Sequence, residues 1–311
     1  ILEGNDYFAD GWAEANLPGY EMDDFCEDEV DEVQDVEDIR AGKEIEIENM
    51  DSFGLFELWQ RGEVPKGHEV HKGRWVLSKR GLHDWRCRWV MKHLKVKFKD
   101  SAENVFTPAS HPDVNFIIDT KAAKSRLPSR IADATNAYWH VPESDLRFCE
   151  APPELRMVHG DVVMRLLKKL YGEQDASMGY SDYLAEHFLA LSFERCVELP
   201  SYFRHLTKDY TIEVHQDDFH EVASIADLTW FKTSILQRGL QLKFSEPIMP
   251  DGSKYHHLKC LRIRCEEGTY IAGNMKYADK ILKLLKMEKC KPAPTPIVTR
   301  RSPEEVASSP K

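Results

Sequence analysis

Apolar positions recur along the chain with two periods. Arg74-Trp75-Val76-Leu77 and Arg88-Trp89-Val90-Met91 are short β-rich runs on either side of Gly81-Leu82-His83-Asp84, a pattern that predicts two strands around a turn. Tyr180, Tyr183, Leu184, His187, Phe188 and Leu191 fall at i, i+3, i+4, i+7, i+8 and i+11, one stripe of an amphipathic helix. Ser224-Ile225-Ala226-Asp227 reads as a capping box, and Leu228, Phe231 and Ile235 then share one helical face. Further strands are predicted at 211–215, 219–223 and 257–264, the last turning through Glu266-Glu267-Gly268 into 269–271. A helix near 277–287 is expected to bury Ile281, Leu284 and Leu285. Short strands mixed irregularly with helices predict an α+β fold with antiparallel strands rather than a regular βαβ alternation.

Charge changes this picture at the ends. Over 311 residues the net charge is -11, but residues 1–50 hold 18 Asp/Glu against Arg40 and Lys43, a local charge of -16. The remaining 261 residues therefore carry +5, so an acidic leader precedes a mildly basic body that could hold a polyanion. Residues 1–65 are expected to be a largely disordered leader, with a helix plausible at 44–54 and the compact region starting near Gly67. Residues 298–311, rich in Ser, Pro and Glu, read as a disordered tail. The chain opens on Ile1 rather than Met, which reads as a segment of something longer. Hydrophobic residues make up 42%, a globular value. No run nears the roughly 18 apolar residues of a membrane span, so no membrane partner is expected. Seven scattered cysteines without a Cys-x-x-Cys pair point to reduced thiols and an intracellular protein, cytoplasmic or nuclear.

Candidate chemistry concentrates in a few segments. Two strand-like runs flank Asp217-Asp218, which places both carboxylates at the tip of a tight hairpin. Adjacent Asp residues are common in turns for conformational reasons alone, so the pair is not specific by itself. A second carboxylate, Asp133, follows an apolar run and precedes Tyr138 by five places. Carboxylates that converge from separate strands can hold two Mg²⁺ ions about 4 Å apart, an arrangement suited to phosphoryl transfer. From Arg86 to Lys99 the chain carries Arg86, Arg88, Lys92, Lys95, Lys97 and Lys99 with no acid among them, either a solvated strand face or a phosphate cradle. His68 and His71, and the adjacent His256-His257, have no Cys or carboxylate pattern completing a zinc site.

Eight segments in order carry a family resemblance: Arg74-Trp75-Val76, Arg86-Cys87-Arg88-Trp89-Val90-Met91-Lys92, Phe106-Thr107-Pro108, Asp133-Ala134-Thr135-Asn136-Ala137-Tyr138, Phe148-Cys149-Glu150-Ala151-Pro152-Pro153-Glu154-Leu155, Leu167-Lys168-Lys169-Leu170-Tyr171-Gly172, His215-Gln216-Asp217-Asp218 and Cys290-Lys291-Pro292-Ala293-Pro294-Thr295-Pro296. Over about residues 66–297 the chain resembles the reverse transcriptase domain of copia-type retrotransposons, the polymerase portion of their Pol polyprotein.

The resemblance implies a right-hand polymerase, with fingers at 70–125, an antiparallel-sheet palm flanked by helices at 126–265, and a partial thumb starting at 270–297. It implies RNA-directed DNA polymerisation with an RNA template, a DNA or RNA primer, deoxynucleoside triphosphates, and other Pol segments as partners. Asp133 and Asp217, with Asp218 beside them, would hold two Mg²⁺ ions (Mn²⁺ in their place). Tyr138 would lie under the incoming sugar, and Arg88, with Arg86 and Lys92, would reach the triphosphate. The chain departs from the family at His215, where an aromatic precedes the Asp pair, and at Gln216, where the spacer is small and apolar. Asp175-Ala176-Ser177 stands in place of Gln-Ala-Pro, putting a carboxylate where the family contacts the nucleotide; Tyr180 stands for the following Trp. A decayed copy that keeps the fold, and a metal-dependent nuclease with the same carboxylates, are the alternative readings.

Overall fold

The computed structural model describes residues 33–92, 110–258, 260–273 and 275–290. The chain divides into two compact units, 1–271 and 272–311. The first begins with helix α1 (Val33–Ser52), strand β1 (Phe56–Gln60), the short β2 (Val70–His71) and a long hairpin of β3 (Gly73–Gly81) and β4 (Asp84–Met91). Helix α2 (Pro112–Ser125) leads into β5 (Ser129–Ala134), then β6 (Phe148–Glu150), α3 (Pro153–His159) and β7 (Val162–Leu166). Helix α4 (Ala176–Leu189) precedes four strands, β8 (Phe193–Arg195), β9 (Tyr202–His205), β10 (Thr211–His215) and β11 (Asp218–Val222). After α5 (Ile225–Gln237) come β12 (Leu242–Phe244), β13 (Ser253–His257), β14 (Cys260–Cys265) and β15 (Gly268–Ala272). The second unit contains α6 (Met275–Leu284).

The central sheet has six strands in the order β12-β5-β11-β10-β9-β8, each antiparallel to its neighbours. Period-two alternation sorts its residues between faces. Phe219 and Ile212 pack with Tyr180, Leu184 and Phe188 of α4 and Leu228, Phe231 and Ile235 of α5, so both sequence-derived helical stripes lie on one face. Val222 points the other way, into Val114, Ile118 and Ala122 of α2. Ser224 caps α5 by accepting from Asp227 N at 3.2 Å. A four-stranded sheet, β1-β7-β6-β2, forms a second core around Met164, Leu166 and Trp139.

Three expectations are corrected. Residues 33–65, placed within a disordered leader, form α1 and β1 instead. Helix α1 buries Asp35, Ile39, Glu46 and Met50, spaced 4, 7 and 4 apart on one face, and two of those four are acids. Composition therefore hid its first half, while the helix expected at 44–54 is its C-terminal part. Asp35 accepts from Trp85 Nε1 at 3.0 Å and from Lys79 Nζ at 2.9 Å. Gly42 allows the close approach: a Cβ there would lie 2.7 Å from the Trp85 carbonyl oxygen. The strand expected at 257–264 is two strands, because Leu258 adopts φ 49° and the chain reverses after His257, which pairs with Cys260. Ile281, Leu284 and Leu285, expected to be buried, are exposed. Residues 1–32, the tail 298–311, Lys95, Lys97, Lys99, Phe106-Thr107-Pro108 and 291–297 lie outside the described residues. No helix among the described residues is long and apolar enough to cross a membrane.

Candidate active site

The site is built on the β10–β11 hairpin. Val214 pairs with Phe219 and His215 with Asp218, leaving Gln216-Asp217 as the two-residue turn. Gln216 takes φ 56°, the positive-φ backbone such a tight hairpin requires of a turn residue. Asp217 accepts through its carbonyl from Ala134 N at 2.9 Å, which ties the turn to β5. In the β11–β5 register Asp218 stands directly opposite Asp133. Directly opposed cross-strand residues share a face with Cβ atoms about 4.5–5.5 Å apart, and like charges in that position repel.

The electrostatics agree with convergence. Asp133 is pushed up to about 6, first by burial and then by the charges of Asp217 and Asp218, with Lys243 and Arg88 acting the other way. Lys243 on β12 pairs with Asp133 from the opposite side, and its side chain is exposed. Asp133 thus feels the charges of both hairpin aspartates, and carboxylate oxygens are donors that a hard divalent cation could take.

Aromatic residues floor the same region. Asn136, at φ 51°, turns the chain out of β5 into a 3₁₀ turn, Ala137–His140, that carries Tyr138. The Tyr138 ring lies 5.3 Å from that of Tyr171 and 6.2 Å from that of Tyr180. Burial, then the nearby Asp217 and Asp133, hold Tyr180 well above the usual phenol range. Tyr171 is pushed up beyond its ordinary range by burial against the opposing charge of Arg88. The Arg88 guanidinium lies 4.9 Å over the Tyr171 ring. Gly172 makes this junction possible: it sits at φ 88°, and a Cβ there would fall 2.1 Å from the Met91 carbonyl oxygen. Met91 N in turn donates to Tyr171 O at 2.8 Å, docking the end of β4 on the Tyr171-Gly172 turn.

The structure thus brings together Asp133, Asp217, Asp218, Tyr138 and Arg88. Arg86 lies two residues back along β4 on the same half-buried face as Arg88, while Trp85, Cys87, Trp89 and Met91 alternate inward. Lys92 is exposed, just past the strand, where its backbone N donates to Lys72 O at 2.7 Å. Asp175 has partners of its own. It is not an uncompensated charge, because it accepts from Lys169 Nζ at 2.8 Å and from Arg147 at 3.1 Å. Burial works to raise its pKa, but those two cations over-ride it and hold the carboxyl low. Arg147 also contacts Glu173 at 2.5 Å and Asp145 at 3.2 Å, so Asp175 belongs to an ion cluster. His215 accepts through Nδ1 from Ser110 N at 3.1 Å, a positioning contact that accounts for a histidine beside the turn. Sequence reasoning missed Lys243 and Glu46. Glu46 is buried on α1 and pushed up to about 7 by burial, with Arg88 opposing. Neither residue has a local signal, since both act through strand or helix neighbours distant in sequence.

No known family model matches this chain, and no curated protein matches it. Among solved structures it is similar to a foamy viral protease-reverse transcriptase in complex with double-stranded DNA, at 12% identity and a TM-score of 0.45. That match covers 86% of this chain and 38% of the other, so the chain spans well under half the length of the viral protein.

Proposed function

We propose that this chain is an RNA-directed DNA polymerase, the reverse transcriptase segment of a copia-type retrotransposon. The observation that carries the reading is the register: Asp133 directly opposite Asp218, with Asp217 in the adjoining turn. The sequence motifs point to the family, and the opposed carboxylates are compatible with that family's chemistry. In this reading the six-stranded sheet is the palm, the β3–β4 hairpin belongs to the fingers, and residues 270–297 begin a thumb. Partners would be an RNA template, a DNA or RNA primer and deoxynucleoside triphosphates.

Asp133 and Asp217, assisted by Asp218, would hold two Mg²⁺ ions, which lower the charge on a transferring phosphoryl group and activate an attacking hydroxyl. The protein's own part is positioning. Two opposed strands hold the carboxylates in fixed geometry, which lowers the entropic barrier to bringing a primer end and a triphosphate together. Arg88, held over Tyr171, is aimed to neutralise phosphate charge next to the acids. Tyr138, packed against Tyr171 and Tyr180, would crowd a 2′-hydroxyl on the incoming sugar.

The test is incorporation of labelled deoxynucleotide on a primed RNA template by the natural chain and by Asp217→Asn, with circular dichroism confirming both folds. Extension by the natural chain that is lost in Asp217→Asn supports the proposal. Cleavage of a labelled duplex without extension replaces it with the nuclease reading. Template–primer binding with neither activity replaces it with a decayed copy.

A further inference from the structure

A second constellation lies on the sheet face that Asp133 and Asp218 share, further from the hairpin tip. Glu213 on β10 stands opposite His220 on β11 in the hairpin register. His257, the last residue of β13, comes over them from a separate three-stranded sheet. All three side chains are buried, none more than 1% exposed. His257 Nε2 lies 3.3 Å from Glu213 Oε2, His220 Nδ1 lies 3.8 Å from the same oxygen, and the three ligand atoms all fall within 4.8 Å of one another. Zinc bonds of about 2.0–2.2 Å place tetrahedral ligand atoms roughly 3.3–3.6 Å apart, so two of the three edges already match within a few tenths of an ångström.

The surroundings are those of a metal site. His220 Nδ1 is buried and has no hydrogen-bond partner, although it faces a carboxylate. Its other nitrogen, Nε2, lies 3.4 Å from the Tyr255 hydroxyl, which can accept the Nε2 proton and leave Nδ1 with its lone pair toward Glu213. The remaining oxygen of Glu213 is oriented by Asn115 Nδ2 at 2.8 Å and by the Ser110 hydroxyl. A buried carboxylate between two imidazoles is costly unless a cation or proton sits among them. The nearby Arg262 is already engaged, donating to Asp119 at 2.6 Å and to Asn115 at 2.5 Å.

We propose that Glu213, His220 and His257 form a binding site for a single divalent transition-metal ion of the Zn²⁺ class, separate from the aspartate site. Two imidazoles and one carboxylate are borderline ligands that favour Zn²⁺ over Mg²⁺. The ion clamps β13 onto the β10–β11 hairpin and so steadies the turn that carries Asp217. Its role is structural, because burial leaves no room for substrate. The adjacent His256-His257 pair gave no hint of this in sequence, since the three ligands come from three strands up to 44 residues apart.

The test uses the full 311-residue chain, stripped of metal by chelator and titrated with Zn²⁺ and, separately, Co²⁺. One equivalent of Zn²⁺ should bind, stabilising the fold about 100-fold at free ion 100 times Kd. His257→Gln should lose that equivalent, and Asp133→Asn/Asp217→Asn should keep it. X-ray absorption at the zinc edge of the natural chain should show nitrogen and oxygen donors, which covers the case in which His257→Gln does not fold. A sulfur-containing shell, binding unchanged in His257→Gln, loss of binding in the double Asp variant, or no zinc binding would each overturn the assignment.

Discussion

Asparagine at 218 should make the metal-free protein more stable. Asp218 faces Asp133 directly across β11 and β5. At about 5 Å, two unit charges repel by roughly 3 kcal/mol for an effective dielectric near 20 and by under about 1 kcal/mol in water. The upward push on Asp133, to about 6, is consistent with that range, since two pH units correspond to about 3 kcal/mol. Burial is its largest cause and Asp217 shares the remainder, and Asp133 is only half-buried, so solvent screening reduces the figure further. About 1 kcal/mol is therefore left for Asp218→Asn to relieve. For a domain of this size that is about 2–4 °C in Tm. The sign with pH follows: Asp133 is raised above its unfolded value, so its contribution is fully present below about pH 4 and lost as pH rises through about 6. The Tm difference between variant and natural chain, in chelator, should accordingly be largest at neutral pH and vanish near pH 4. Adding Mg²⁺ should reverse the order, because the natural chain gains a ligand that the variant has weakened. A variant no more stable than the natural chain in chelator at neutral pH would refute the convergence of the carboxylates.

Gly172→Ala should lose at least about 1–2 kcal/mol for the positive φ alone, more for the clash with Met91 O, and should weaken nucleotide incorporation by loosening Tyr171 under Arg88; thermal melts and extension rates check both. Asp175→Gln should destabilise by about 1–2 kcal/mol rather than raise polymerisation, since it strips a charged partner from Lys169 and Arg147; urea denaturation with an extension assay decides. Glu46→Gln should abolish a pH-dependent loss of up to about 3 kcal/mol that the natural chain shows as pH rises from about 4.3 through about 7, measured as the difference between the two stability profiles.

Local signals were enough for much of the fold. Period-two runs marked β3, β4, β10 and β11, the helical stripe marked α4, and the capping box marked the start of α5, because each depends on neighbours within a few residues. Motif order also brought Asp133, Asp217, Tyr138 and Arg88 under suspicion from residues more than 80 positions apart. What sequence could not determine was pairing. That Asp133 faces Asp218 follows from β5 inserting between β11 and β12, a choice made by the shared core of α4 and α5. Helix α1 was expected only from residue 44 on, because two of its four buried positions are acids that become tolerable only beside Trp85, Lys79 and Arg88. Asp175 looked like a misplaced charge until Arg147 and Lys169 were brought to it, and His257 looked idle until β13 carried it over Glu213 and His220. Propensity and period act along the chain, whereas charge compensation and ligand geometry act through space, so only the tertiary structure could decide them.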